Sequence, residues 1–220
     1  MAHYFTQEST TPDRHFSITG NLAGYRHRIQ SATGLFSAKS FDLGTRLLCK
    51  HLQPEYRKSL KKNTDQTLSV LDFGCGYGVV SCFLLTEYSL HTHGTLHLDA
   101  CDISPLALDL CRINIKESNH TRVILSDVLT DKYFQNKKYD YIITNPPFSA
   151  GKAVVQEFIK QSYSHLKDGG QFRCVAPTQR WAKGYIDLTT EFFGEDSVEV
   201  VALEAGFRIR KATKEAVISS

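Results

Sequence analysis

The most chemically specific group in the chain is Asn145-Pro146-Pro147-Phe148, which directly follows the apolar run YDYIIT. An amino group conjugated with a ring has its lone pair delocalised and is a poor nucleophile. The side-chain oxygen of Asn145 and a neighbouring backbone carbonyl can accept its two N–H bonds and favour a tetrahedral nitrogen. Pro146 and Pro147 fix φ, hold that carbonyl outward and bring no N–H of their own. Phe148 offers a face on which a base can stack, a contact worth roughly 1–3 kcal/mol. Asn-Pro-Pro also forms turns without any catalytic role, so the group gains meaning from what accompanies it.

Three further groups accompany it. Asp72-Phe73-Gly74-Cys75-Gly76-Tyr77-Gly78 stands between an apolar run, TLSVLDF, and a helical pattern, VVSCFLLTEY. Glycines there permit φ > 0 and let a ligand come close to the backbone. The spacing is GxGxG rather than the GxGxxG of dinucleotide binders, and a tight strand-to-helix turn is the plain alternative. Asp102 closes the next apolar run, TLHLDACD, where a carboxylate can accept both hydroxyls of a ribose. Asp99 competes for that role but lies inside the same run. Asp127 closes RVILSD, where it can accept from an adenine amino group or cap a turn.

These residues need strand ends to stand on, and the pattern supplies them. Short apolar runs at 67–74, 95–102, 122–127, 139–145 and 171–177 alternate with helical patterns at 79–88, 104–118, 151–166 and 179–193. Ser104 as N-cap and Pro105 at the first helical position mark one helix start, and Lys-Asp-Gly-Gly at 167–170 reads as a helix stop. The last two runs, 197–203 and 206–212, read as an antiparallel pair. Ahead of this come two short strands near 15–19 and 25–31 and a helix at 42–52, followed by a polar, basic, linker-like stretch, QPEYRKSLKKNTDQT, at 53–67. The alternation predicts an α/β fold with a doubly wound, mostly parallel sheet, whose ligands bind at the carboxyl ends of the strands.

Composition narrows the class. The 220 residues are 41% hydrophobic and 22% charged, which fits one globular domain, or at most one domain with a small extension. No run is long and apolar enough to span a membrane, and the first residues lack a signal-peptide pattern, so a cytoplasmic location is expected. The six cysteines form no CxxC and read as reduced, buried thiols; His91, His93 and His97 lack partner ligands, and no metal is expected. Net charge is only +3, yet basic residues cluster at Arg26-His27-Arg28, at Arg57 to Lys62 and at Arg208 to Lys214, a hint of a polyanionic partner.

DFGCGYG, CDIS, SDV and NPPF, in that order, resemble the class I S-adenosylmethionine-dependent amino-methyltransferases. More narrowly, with HYF near the start, GLFSAKSFDLGTRLL at 34–48, NPPFSAGK at 145–152 and AGFRIRKATK at 205–214, the chain resembles the "small domain" methyltransferases, whose bacterial members modify guanine N2 in small-subunit ribosomal RNA. The resemblance implies a seven-stranded Rossmann-like sheet, a strand-and-helix extension over 1–52 and a catalytic domain over 67–220. It implies S-adenosyl-L-methionine as cofactor, with Phe36 and Ser37 near it. Asp72, Gly74, Cys75 and Gly76 would lie on its methionine side, Asp102 and Ile103 at the ribose, and Asp127 and Val128 at the adenine. Asn145 would face both cofactor and target; Pro146, Pro147 and Phe148 the target; Lys152, Arg208 and Arg210 the substrate. The partner implied is structured RNA, small-subunit ribosomal RNA or its particle. The bacterial ribosomal enzymes resemble a duplication with a degenerate, RNA-holding first copy, whereas this chain has room for the catalytic copy alone. Protein glutamine and DNA adenine methyltransferases use similar turns, usually with Tyr or Trp in the fourth place, and a non-catalytic RNA-binding assembly factor is the alternative from another class.

Overall fold

A computed structural model describes residues 14–62, 67–91, 94–180 and 186–216; the HYF segment, His93 and part of the stretch 179–193 lie outside them. An antiparallel hairpin comes first, β1 (His15–Leu22) and β2 (Tyr25–Ala32), followed by helix α1 (Leu43–Lys62). The remainder alternates as β3 (Thr67–Phe73), α2 (Val79–His91), β4 (Thr95–Asp102), α3 (Pro105–Ile115), β5 (Thr121–Leu125), β6 (Tyr139–Thr144), α4 (Lys152–His165) and β7 (Leu166–Pro177). A short turn α5 (Thr178–Arg180), helix α6 (Ile186–Phe193) and strands β8 (Val198–Glu204) and β9 (Phe207–Thr213) complete it.

Seven strands form one sheet in the order β5-β4-β3-β6-β7-β9-β8, parallel except that β9 runs against both β7 and β8. The chain moves outward from β3 to β4 and β5, then crosses back to β6. The carboxyl ends of β3 and β6 therefore meet where the order reverses, with Asp72 in register with Ile143, the place where such sheets bind ligands. Alternation along the strands sorts the core into two layers. Val70, Leu98, Ile143, Val175 and Ile209 pack with α1, α2, α3 and the hairpin, while Leu71, Phe73, Ile142, Phe172 and Ala212 pack with α4 and α6. All six cysteines are buried and unpaired by disulfide, and among the described residues no helix is long and apolar enough to cross a membrane.

Two local expectations are corrected. Residues 53–62 are not a linker but the second half of α1. Leu48, Leu52, Tyr56 and Leu60, four apart, form a buried stripe that carries the helix through Pro54. Each such burial contributes about 1.5–3 kcal/mol, comparable with the roughly 3 kcal/mol that an interior proline costs. Asp168, Gly169 and Gly170 do not simply end α4. They lie in β7, where the partner register jumps from Tyr139–Leu166 to Tyr141–Gln171, and a Cβ at Gly170 would come within 2.9 Å of the Tyr139 carbonyl.

Polar side chains tie the far half of α1 to α2. Glu87, fully buried, accepts from Arg57 Nε and Nη2, each at 3.0 Å, and from Gln53 Nε2 at 2.6 Å. Burial raises its pKa, but the hydrogen bonds from Arg57 and Gln53 outweigh that and hold it below the usual glutamate value. Removing Arg57 leaves a buried carboxylate short of its counter-charge. Arg57→Ala is expected to lower unfolding free energy by about 3 kcal/mol in urea titration, with Glu87→Gln on that background restoring part of the loss. A change below about 0.5 kcal/mol would show that this pair does not anchor α1.

Candidate active site

The connection from β3 to α2, residues 74–78, is shaped by its neighbours. Gly74 and Cys75 both donate their amides to the Cys101 carbonyl at 2.9 Å, bending the chain over the end of β4. Gly78 has φ of 89°, and a Cβ there would stand 2.8 Å from Cys111 Sγ, so both conformation and space demand glycine. Gly76, also at positive φ, has nothing within 4 Å of where a Cβ would be, and this leaves an open backbone surface. Asp72 lies beneath, buried, its Oδ2 accepting from Ser81 N at 2.9 Å and Ser81 Oγ at 2.6 Å in the first turn of α2. Burial pushes its pKa up to about 7 against the pull of those hydrogen bonds.

Asp99 and Asp102 face different surroundings. Asp99 is buried and accepts from the hydroxyls of Tyr133 at 2.8 Å and Tyr139 at 2.7 Å. Asp102 stands at the tip of β4, accepting Gly76 N on Oδ2 and Ser104 N on Oδ1, both at 2.9 Å. Each oxygen retains a further lone pair, because a carboxylate offers about four acceptor positions. Burial raises its pKa while these amides oppose the rise. Ser104 caps α3, its Oγ accepting from Ala107 N, so the end of β4, the glycine turn and the start of α3 share one carboxylate. Ile103, beside it, and Leu125, which is in register with Asp102, are large apolar residues left exposed at this edge. Asp127 is exposed and its side chain accepts no hydrogen bond among the described residues; the nearby turn at 132–134 is capped by Asp131 instead. Val128 follows with φ of 51°.

At the end of β6, Asn145 Nδ2 donates to Asp42 Oδ2 and to Thr45 Oγ1, each at 3.0 Å. Asp42 Oδ2 also accepts Thr45 N at 2.8 Å and caps α1. An ionised carboxylate only accepts, so the amino end of Asn145 must face α1 and its Oδ1 is left as an acceptor. Pro147 has φ −75° and ψ 80°, an inverse γ-turn in which Phe148 N donates to the Pro146 carbonyl at 2.9 Å. The prolines bring no N–H, as expected, but that of Phe148 takes one of the two lone pairs on Pro146 O. Pro146 and Phe148 line a small apolar cavity together with Val155, Phe158, Ile159 and Phe172.

The loop between β2 and α1 joins these parts. Phe36 is 73% exposed. Tyr77 OH, in the glycine turn, donates to the Ser37 carbonyl at 3.0 Å, and Asn114 Nδ2 of α3 donates to the carbonyls of Tyr77 and Gln30. The basic residues that the resemblance sets at the substrate separate. Lys152 is exposed at the start of α4 and Arg208 is half-buried opposite Ala176, but Arg210 is buried in the sheet opposite Cys174. Arg210, which the resemblance sets at the substrate, is thus not on an open surface: β9 turns it to the α6 side, between two strands. Asp42, Thr45, Tyr77 and Leu125 were not singled out from sequence. Asp42-Leu-Gly-Thr45 before a helical pattern is a capping signal that marks the first two.

The family model of the methyltransferase small domain matches residues 26–211. The chain is 29% identical over 96% of its length to the uncharacterized protein YbxB of Bacillus subtilis (strain 168), covering 98% of that protein. It is 32% identical over 96% of its length to ribosomal RNA small subunit methyltransferase C of Shewanella pealeana, of which it covers 58%; it spans about half the length of several relatives of that name. Among solved structures, the 16S rRNA N2 methyltransferase (RsmC) of T. thermophilus, in complex with AdoMet and guanosine, superposes with a TM-score of 0.73 at 24% identity, over 93% of this chain and 52% of that one. A methyltransferase from Pyrococcus furiosus shares the fold at a TM-score of 0.52 and 16% identity, over 74% of this chain and 83% of that one. The match over most of the chain, on a sheet whose glycine turn, Asp102 and Asn145 meet at neighbouring strand ends, places this protein in the methyltransferase small domain family, with S-adenosyl-L-methionine as its cofactor.

Proposed function

We propose that this protein methylates the exocyclic amino nitrogen of a base in structured RNA, guanine N2 of small-subunit ribosomal RNA. The observation that carries the reading is the fixed Asn145 amide, whose N–H bonds go to Asp42 and Thr45 and whose Oδ1 remains an acceptor, one residue before the Pro146 carbonyl. Two acceptors so placed suit an –NH2 group, accepting one N–H each and drawing its lone pair out of conjugation. The names of the related small-subunit methyltransferases support ribosomal RNA, and that of the T. thermophilus N2 methyltransferase supports guanine N2 over other amino groups.

The residues at the ends of β3, β4 and β5 fit the cofactor. Gly76 leaves an open surface for its methionine part, with Gly74, Cys75 and the buried Asp72 beneath. Asp102, preorganised by two amides, accepts the ribose hydroxyls. Ile103, Leu125 and Val128 flank the adenine and Asp127 accepts its amino group. Phe36 and Ser37 close the site from the α1 side. When bound, S-adenosyl-L-methionine would supply an electrophilic methyl group with a neutral thioether as its leaving group. Phe148 stacks the base, Asn145 and Pro146 O hold the amine, and the displaced proton passes to water. Proximity and lone-pair orientation supply the acceleration. Lys152 and Arg208 lie on the substrate side.

Mass spectrometry of nucleosides from cells with and without the protein tests the reading. Loss of N2-methylguanosine from the small-subunit RNA fraction is expected; an unchanged nucleoside profile would redirect the search to protein glutamine or DNA adenine. Asn145→Ala should lower kcat by at least roughly a hundredfold, with cofactor affinity kept within a few-fold. Asp42→Ala, which frees the amide to turn, should lower kcat by about tenfold or more. Asp42→Asn should recover most of it, since one oxygen makes all these contacts. Equal activity of Asp42→Ala and the unaltered chain would remove Asp42 as a positioning residue. Calorimetry on Asp102→Ala should show weakened cofactor binding; unchanged affinity would move the ribose contact elsewhere.

A further inference from the structure

The three basic clusters of the sequence have different fates in the fold. Arg57 is bonded to buried Glu87, Lys211 pairs with Glu55 and Glu199, and Arg210 is inside the sheet. Lys58, Lys61 and Lys62 are exposed but sit in the far part of a helix of 20 residues, roughly 20–28 Å from the first turn that holds Asn145. Arg26 and Arg28 are exposed on β2 and have no ion-pair partner among the described residues.

We propose that the outward face of the β1–β2 hairpin, led by Arg26 and Arg28, holds the phosphate backbone of the RNA beside the target base; this rests on the RNA reading above. In antiparallel register Asn21 stands opposite Arg26, Thr19 opposite Arg28 and Ser17 opposite Gln30, so all six share one side. The two arginines are about 7 Å apart along the strand. The other side, with Ile18, Leu22 and Ile29, is buried against the core. His27 turns inward, and burial lowers its pKa, so the charge of the face belongs to the arginines.

Charge complementarity identifies the partner. No Asp or Glu occurs between Asp13 and Asp42, while Arg14, Arg26, Arg28 and Lys39 fall in that span. A face of guanidinium, hydroxyl and amide groups without a carboxylate suits phosphate oxygens, which guanidinium binds in bidentate fashion. The hairpin is also fastened to the site. Gln30 exchanges hydrogen bonds with Asn114, which holds the glycine turn through the Tyr77 carbonyl. Gly20 lies so close over the Phe41 ring that a Cβ would come within 2.5 Å of it. Residue 41 directly precedes Asp42, the partner of Asn145. Backbone contacts on this face therefore keep a fixed position relative to the amine-binding residues.

The test uses the full chain and an unmodified small-subunit ribosomal RNA transcript. Arg26→Gln with Arg28→Gln is compared with the unaltered chain and with Lys58→Gln/Lys61→Gln/Lys62→Gln. For the arginine pair, Kd for the transcript should weaken roughly tenfold at about 0.1 M salt, and the log–log salt slope should fall by about 1.4–1.8. KM for RNA should rise by the same factor, with kcat and cofactor affinity unchanged, which also reports that the variant is folded. Unaltered Kd and slope would overturn the proposal while leaving the RNA reading intact, as would a loss confined to the lysine variant. An unaltered chain that neither binds nor methylates the transcript would instead overturn the RNA reading, and this proposal with it.

Discussion

The hydrogen bonds between Asn145 and the first turn of α1 are the constraint around which the site is arranged. An unanchored asparagine amide can rotate and offer either its oxygen or its nitrogen. Asp42, unable to donate when ionised, removes that freedom. The constraint reaches far from the site, because the first turn of α1 is only as steady as the helix behind it. That helix is held by a buried stripe of leucines and a tyrosine and by the Glu87 cluster on α2. The extension ahead of the sheet thus supplies the partners that orient Asn145.

Carboxylate chemistry in this fold is decided by which face of the sheet a side chain meets. Asp72, Asp99 and Asp102 lie on neighbouring strands, yet Asp72 is committed to the start of α2 and Asp99 to two tyrosine hydroxyls. Asp102 alone of the three stands at a strand tip, where backbone amides orient it and leave acceptor positions over. Strand periodicity of two separates it from Asp99, three residues earlier, and sends the two to opposite faces.

Much of this was legible in the residues themselves. Alternating apolar runs and helical patterns sufficed for the parallel sheet, because buried strands read as short continuous apolar runs. The glycine turn, Asp102 and Asn145 were visible because each follows a strand, and strand ends are where such sheets place chemistry. The second half of α1 was hidden by its polar, lysine-rich surface and by Pro54, both of which outweigh a sparse apolar stripe when only the local chain is read.

Sequence alone determined the layered α/β architecture, the order of the motifs and the presence of an Asn-Pro-Pro turn after a strand, since these follow from periodicity and from residue type. Tertiary structure decided which groups are free to act. Arg210 and Arg28 look alike in sequence; one is enclosed between β7 and β8 and the other faces outward on a hairpin. Asp42 and Asn145, 103 residues apart, become partners only when α1 packs across the end of β6. Burial and partnership depend on contacts between distant segments, which no local pattern of residues encodes.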